Sequence, residues 1–450
     1  MQNFTAVVKA AAHIHGGTRV KHCKNTAECQ TVIMPPPSRV VIPMLQHIGA
    51  PCVPTVAKGD QVSVGQIIGD STAPVSAPIH ASISGTVVGI TQVMLPTGTV
   101  TDAIEIESDG QMTPFEGLKP FPVQSKADLV AAARACGLVG LGGAGFPAHI
   151  KLSPKADTKL DTLIINGAEC EPYITADYRE CIEFSHDIME GVYLLKELMG
   201  FERVIIGVED NKPEAIRILQ EIAADRRDIN DSVNLLKLQS NYPQGAEKVL
   251  IYTATGRKLP LGKLPADVGC VVMNITSLSV LYRFIRTGMP LVSKRLTVDG
   301  SAIAKPANVQ VPIGTSIRDV IEFCGGYSCT PEKLITGGPM MGFAVMDDSL
   351  PILKQNNAIL AFDRKDALTP DSTPCIRCGR CVRACPMQLR PAEIERTMKH
   401  GDADAKALQA LGAMYCIECG SCAYVCPAKR PLTQTMRIAK AKIRKEGAKS

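Results

Sequence analysis

Tryptophan is absent from this 450-residue chain, and the aromatics together supply only 4% of it. Without aromatic platforms a base-stacking nucleic-acid surface has little to build on, and no recognition motif replaces it. Long apolar runs are missing too. The longest, near GCVVMNITSLSVLY, falls short of the ~20 residues a spanning helix needs, so the chain is not expected to cross a membrane alone. The opening MQNFTAVVKAAAHIHGG has neither an apolar h-region nor a small-residue cleavage site. No charge sign dominates, with 49 Lys and Arg against 44 Asp and Glu. The surplus gathers after Pro427, in AKRPLTQTMRIAKAKIRKEGAKS, where eight Lys and Arg meet one Glu. That tail reads either as a solvated, frayed helix or as a docking element for an acidic partner or an anionic membrane surface.

Cysteine is what the chain has in excess. Of 17, eight fall in two tight groups between Cys375 and Cys426. Abundant cysteine without a secretion signal favours a reducing compartment and metal ligation over disulfides. The first group is Cys375-x2-Cys378-x2-Cys381-x3-Cys385-Pro386. The second, Cys416-x2-Cys419-x2-Cys422-x3-Cys426-Pro427, repeats it. This is the spacing of bacterial [4Fe–4S] ferredoxins, in which the fourth cysteine of each run ligates the other cluster. One cluster is therefore expected on Cys375, Cys378, Cys381 and Cys426, and the other on Cys416, Cys419, Cys422 and Cys385. Structural zinc, the alternative, prefers CxxC pairs set apart. Helical sequence (PAEIERTMK) fills the gap between the motifs, which resembles the helical ferredoxin modules fused to larger redox enzymes. The remaining cysteines lack ligand spacing and read as small buried hydrophobes.

Upstream, residues 31–107 alternate in polarity between Gly and Pro turns, the pattern of a small β sandwich or barrel. The stretch resembles lipoyl-type barrels but lacks their modifiable lysine. From about residue 125 strands alternate with helices: SKADLVAAARACG with Ser125 as N-cap, TLIIN, a long helix over 178–199, RVIIGV, KPEAIRILQEIAAD, and GCVVMN followed by SLSVLYRFIRTG. Such alternation implies a largely parallel sheet. Residues 295–346 mix strands with one helix.

Gly140, Gly142, Gly143 and Gly145 bracket a loop, GLGGAGF, that follows a helix and so is no ordinary Rossmann fingerprint. Its bare backbone still suits close approach to a phosphate or a ring, and Lys151 follows within reach. The strand TLIIN runs into GAECEP, and acidic residues just past a strand end are placed to hydrogen-bond a ribose.

GLGGAGFPAHIKL with INGAECEP is similar to the NADH-oxidising flavoprotein subunit of respiratory complex I. The resemblance implies that the four glycines line an FMN with Lys151 nearby. It implies that Phe146 stacks on the nicotinamide nucleotide and Glu171 holds it, while Asn166 and Glu169 face the flavin. Glu247 is a further candidate, and Asn274 and Thr276 are expected at the FMN phosphate. Leu141 stands where that family has arginine, and Ala168 where it has aspartate. Along nearly its whole length the chain resembles the RnfC family, the C subunits of the Rnf-type ion-translocating electron-transport complexes. The motifs that carry this likeness are HGG near the start, IPMLQHIGAPCVPTVAKGDQV, APIHASISGTV, YPQGAEKVLI, TGGPMMG and the twin cysteine motifs.

That resemblance implies an NADH-dependent oxidoreductase subunit with FMN, two [4Fe–4S] clusters and NAD(H). It implies other subunits as partners, an Fe–S subunit above all, and a peripheral place on the cytoplasmic face of the bacterial inner membrane. The fold expected is multidomain α/β: a barrel-sandwich over 1–115, a Rossmann-like flavin/NADH domain over 116–292, a small β-grasp-like (SLBB) module over 293–362, and a helical di-cluster ferredoxin domain over 363–450. A soluble flavin/Fe–S reductase resembling cobalamin reductases, and a non-enzymatic Fe–S relay, are the competing readings.

Overall fold

A computed structural model describes residues 7–8, 10, 12–155, 157–225, 232–399 and 404–447. The last three residues of the basic tail lie outside that description.

Alternating apolar residues of the first half close two small antiparallel sheets on each other. One pairs Arg39–Pro43, Val100–Ser108, Gly85–Met94 and Gln61–Val62; the other pairs Val53–Pro54, Ile67–Asp70 and Ile79–His80. Val40, Ile42, Ile68, Ile79, Val87, Ile104 and Ile106 meet between them, each almost fully buried. Burying a side chain of this size stabilises the fold by about 1.5–3 kcal/mol.

The central domain is a parallel sheet covered by helices on both faces. Its strands Thr162–Gly167, Arg203–Glu209 and Val233–Leu238 step outward in one direction, while Cys270–Asn274 lies on the other side of Thr162–Gly167. These strands are nearly continuous runs of Val, Ile and Leu, as burial on both faces requires. The order places a topological switch between Thr162–Gly167 and Cys270–Asn274, where Asn166 and Asn274 stand in register. Open α/β sheets bind ligands at the carboxyl ends of such strands. Ser125 caps helix Lys126–Ala135 as expected, accepting from the Asp128 N–H at 3.2 Å.

The expected helix over 178–199 is two helices, Ala176–Glu183 and Ser185–Met199. Phe184 interrupts them, and its ring packs under the guanidinium groups of Arg283 (4.3 Å) and Arg295 (5.2 Å). Cation–π contact at this buried seam outweighs the continuity of one helix.

Residues 293–362 form a mixed sheet of Ser293–Asp299, Ala307–Pro312, Lys333–Thr336, Phe343–Val345 and Ala358–Phe362, with helix Ile317–Phe323 packed on it. Two N-terminal segments read as part of the barrel belong elsewhere. Val7–Val8 extends the central sheet beside Val233–Leu238, and Val32–Ile33 extends the 293–362 sheet beside Ala307–Pro312. Short strands of this kind are legible only through the edges they complete. Helix Leu432–Gly447 carries the basic tail and is not frayed over its described length. Met436, Ala439 and Ile443 pack into the core of the cysteine domain.

The N-terminal HGG turn is the strap between domains. The Gly17 N–H donates to the Ala384 carbonyl at 2.9 Å, and the Thr18 N–H to the Tyr242 carbonyl at 2.7 Å. Gly16 sits at φ +89°, and a Cβ there would lie 2.8 Å from the Cys385 carbonyl group. Both the angle and the space demand glycine. Gly16→Val is expected to lower stability by about 1–3 kcal/mol, the scale of one such backbone strain. Denaturant midpoints and iron bound per chain, compared with the parent, measure the effect.

Candidate redox site

The two cysteine motifs fold alike. Arg377 and Gly379 in the first, and Glu418 and Gly420 in the second, take positive φ (55°, 71°, 58° and 80°). Gln388 and Lys429 do the same just past each Cys-Pro (56° and 50°). In each motif the two left-handed residues flank a cysteine, Cys378 or Cys419, and turn the chain around it. The Leu389 N–H approaches Cys385 Sγ at 3.3 Å and the Glu418 N–H approaches Cys416 Sγ at 3.3 Å.

A small cavity is lined by Cys416, Cys419 and Cys422 together with Cys385 of the other motif. The spacing expects these four for one of the two clusters. Burial pushes the Cys416 thiol up to about 11 and the Cys422 thiol up to about 12, and raises Cys385 as well. Desolvated thiols of this kind ionise once a cationic centre sits among them, which is the chemistry a metal cluster supplies. Among the described residues no three His, Cys, Asp or Glu side chains converge on a single-ion position. The first motif is open: residues 371–378 are all exposed, and Ile376 is 68% exposed.

The acidic loop after Thr162–Gly167 is packed against the second motif. The Glu171 carboxylate accepts the Met340 and Met341 N–H groups at 3.0 and 2.9 Å and faces the Tyr242 hydroxyl at 3.3 Å. The same hydroxyl lies 2.7 Å from the Cys419 carbonyl. Gly420 is held so close to Met340 that a Cβ would lie 2.9 Å from its carbonyl oxygen. Glu169 accepts from the Asp177 N–H at 2.7 Å and the Tyr178 N–H at 3.3 Å, at the start of helix Ala176–Glu183. Beneath the loop the Lys24 ammonium donates to the carbonyls of Glu169, Glu171 and Ile174 at 2.8, 2.8 and 2.5 Å. Lys24, Tyr242 and the Met340–Met341 amides are not legible as site residues in the sequence, because their partners are remote in the chain. Only the YPQGAE and TGGPMMG stretches, through their family likeness, point toward them.

The other expected residues gather at the topological switch. Asn166 donates to the Gly245 carbonyl at 2.9 Å, and Lys151 reaches Glu247 at 3.3 Å and the Val272 carbonyl at 3.2 Å. Asn274 caps helix Ile275–Thr287, and its amide donates to Asp177 at 2.8 Å; Thr276 donates to the same carboxylate at 2.6 Å. Gly142 and Gly143 are exposed, and Cβ atoms there would meet nothing closer than 3.4 Å. Gly140 and Phe146 close the loop through a 2.9 Å backbone bond, with Phe146 half-buried. Leu141 points into the core while its N–H is held by Ser277 at 3.1 Å. The open glycine backbone, the helix start and the strand ends stand together at this switch, the place where open α/β sheets bind nucleotides.

A switch-point nucleotide cleft joined to a twin-cluster cysteine domain defines a flavin and iron–sulfur electron carrier. Models of the RnfC barrel sandwich hybrid domain, the Nuo51 FMN-binding domain, the SLBB domain and the 4Fe-4S dicluster domain match residues 12–111, 133–283, 295–344 and 374–430. The C subunit of the proton-translocating ferredoxin:NAD(+) oxidoreductase complex of Clostridium ljungdahlii is 44% identical, over 94% of this chain and 92% of its own. The C subunit of the Na(+)-translocating complex of Acetobacterium woodii is 42% identical, over 93% of this chain and 94% of its own. A solved chain of an NAD+-reducing [NiFe]-hydrogenase aligns over 72% of this chain and 62% of its own, at 19% identity and a TM-score of 0.48. The chain belongs to the RnfC family, the C subunits of the ion-translocating ferredoxin:NAD oxidoreductase complexes.

Burial holds the Glu171 carboxyl up at about 7, against its hydrogen bonds, which favour the charged form. A carboxyl raised in the folded state costs nothing below its ordinary value of 4.5 and its full penalty above about 7. Stability from this group therefore falls as pH rises through that interval. Glu171→Gln should flatten that part of the stability–pH curve, as followed by urea unfolding across the interval. Lys24→Met, which orphans three carbonyls, should cost about 2–4 kcal/mol and speed amide exchange in residues 169–175.

Proposed function

We propose that this chain accepts electrons from NADH at the switch-point cleft and passes them through its cysteine domain to an Fe–S partner subunit, or runs the same route in reverse. The observation that carries the reading is the unbroken contact from the acidic loop through Tyr242 to Cys419. It brings the nucleotide side up to the second cysteine motif, with the Tyr242 hydroxyl donating to the Cys419 carbonyl at 2.7 Å and lying 3.3 Å from Glu171. A bound flavin would take two electrons as a hydride and release them singly, which iron–sulfur centres require. The chain's own residues do the rest. Gly142 and Gly143 present open backbone to the ring between half-buried Gly140 and Gly145, which is buried against Gln46 and His47, and Asn274 and Thr276 stand at the start of a helix that suits a phosphate. Asn166, Lys151 and Glu247 frame the cleft, and Phe146 and Glu171 flank the nicotinamide side. Glu169, tied to the next helix, holds the loop's shape. No side chain need act as acid or base, since positioning suffices for transfer between stacked rings.

The face outside the first motif suits a partner. Leu368, Ile376 and Val382 are 71%, 68% and 41% exposed, and Arg377, Arg380 and Arg383 stand exposed among them. An apolar patch rimmed by cations fits an acidic iron–sulfur protein better than water. No helix among the described residues is long and apolar enough to cross a membrane. Attachment at the cytoplasmic membrane face through the other subunits agrees with that.

Anaerobic purification with iron, sulfide and flavin assayed per chain tests the reading. About eight irons for two [4Fe–4S] clusters, up to one FMN, and bleaching of that flavin by NADH are expected. Stoichiometric zinc in place of iron would end it. Cys385→Ser should abolish the paramagnetic signal of the cluster on Cys416, Cys419 and Cys422 while sparing the other.

A further inference from the structure

The 293–362 module meets the glycine loop at Asn357. This residue stands just before strand Ala358–Phe362, and its backbone is pinned. Its carbonyl accepts from the Thr297 N–H at 3.0 Å, and the next carbonyl, that of Ala358, accepts from the Gly337 N–H at 2.8 Å. Upstream, Asn356 Oδ1 accepts from the Leu353 N–H at 2.7 Å. The buried Lys354 ammonium donates to the Pro78 and Gly137 carbonyls at 2.6 and 2.8 Å. The Asn357 side chain therefore projects from a fixed point.

Its amide nitrogen lies 3.4 Å from where a Cβ on Gly142 would sit, and its amide oxygen lies 3.8 Å from the same position on Gly337. Gly142 is exposed in the glycine loop. Gly337 opens the GGPMM turn, whose Gly338 packs against the Glu171 carboxylate and whose Met340 and Met341 amides donate to it. The Asn357 carboxamide thus spans the gap between the loop that presents backbone to a flavin and the turn that clasps Glu171.

The neighbouring side-chain amides at the switch are already engaged. Asn166 donates to the Gly245 carbonyl and accepts from the Ala168 N–H at 3.1 Å. Asn274 donates to Asp177 and accepts from the Ser277 N–H at 3.1 Å. Asn357 is half-buried, and among the described residues its side chain makes no hydrogen bond. It keeps two donors and an acceptor for a ligand, and it carries no charge.

We propose that Asn357 recognises the carboxamide of the nicotinamide ring, donating to its carbonyl and accepting from its amino group. The inference rests on the nucleotide reading of the cleft and adds to it the residue that selects the reacting end of the dinucleotide. Two primary amides match donor for acceptor without charge on either side. The contact is therefore indifferent to the positive charge the ring gains on oxidation, and it serves transfer in both directions.

Oxidised full-length protein, with its clusters reconstituted and FMN loaded, is titrated with NAD+, with 3-acetylpyridine adenine dinucleotide and with ADP-ribose. The second ligand keeps the ring carbonyl but lacks the amino group, and the third lacks the ring. Parent protein should bind NAD+ more tightly than the acetylpyridine analogue. Asn357→Leu should weaken NAD+ about fivefold to fiftyfold, bind NAD+ and the analogue alike, and leave ADP-ribose unchanged. Unaltered NAD+ affinity in Asn357→Leu overturns the assignment. Equal losses for NAD+ and ADP-ribose overturn it too, since they would place the effect on the shared part of the dinucleotide. So does release of FMN with the NAD+ to ADP-ribose ratio intact, which would assign the amide to the flavin. An amide without a partner adds little to the fold, so Asn357→Leu should melt no lower than the parent. A lower melting temperature with that ratio intact would make Asn357 a packing residue and overturn the assignment. Parent protein that binds neither NAD+ nor ADP-ribose would sink the nucleotide reading of the cleft itself, which every other outcome leaves standing.

Discussion

A carboxylate withdrawn from water must be met by donors, and Glu171 finds its donors outside its own loop. Two are backbone amides of Met340 and Met341, in the 293–362 module, and the Tyr242 hydroxyl, whose one hydrogen faces the nearer Cys419 carbonyl, lies 3.3 Å away. Tyr242 in turn donates to the carbonyl of Cys419, so the half-buried Glu171 and Tyr242 together bring the nucleotide domain, the small mixed sheet and the cysteine domain into contact. Such a knot tolerates little slack, because moving any one domain strands a buried charge without its partners. Lys24 performs the same service from below. It holds three carbonyls of the loop and fixes the N-terminal segment against it. The relative placement of cleft and cysteines is therefore set by polar groups that cannot separate without heavy cost, more than by apolar area.

What can be read from sequence follows from the range over which each signal acts. The motif spacing is legible because it is local, and the left-handed turns at Arg377, Gly379, Glu418 and Gly420 lie within it. Strands such as Thr162–Gly167 are legible because burial on both faces writes itself as an unbroken apolar run. The switch between Thr162–Gly167 and Cys270–Asn274 is not, since strand order is a property of the sheet and not of any stretch of chain. Nor is the break at Phe184, whose cause is a pair of arginines about a hundred residues downstream. In the sequence Lys24 and Lys294 look like two surface lysines among many. Only the assembled fold shows that Lys294 is buried, and that half-buried Lys24 holds three carbonyls of the acidic loop.

The two cysteine motifs make the same point about symmetry. They share spacing, turn residues and backbone angles, so a reading confined to the motifs treats them as equivalent. Their surroundings are not. The first stands in an exposed stretch with arginines around it, whereas the second is closed over by Met340, Tyr242 and helix Leu432–Gly447. From that helix Lys440 donates to the Cys416 carbonyl at 3.0 Å, and Lys440 and Arg437 both pair with Glu418 inside the motif. Cluster potentials respond to solvent exposure, net charge and hydrogen bonds to sulfur. Two motifs of like spacing in unequal settings would give the clusters held there unequal potentials. The tail's basic residues contribute by lying beside the inner motif, so the charge surplus so conspicuous in the sequence works in part as a local field.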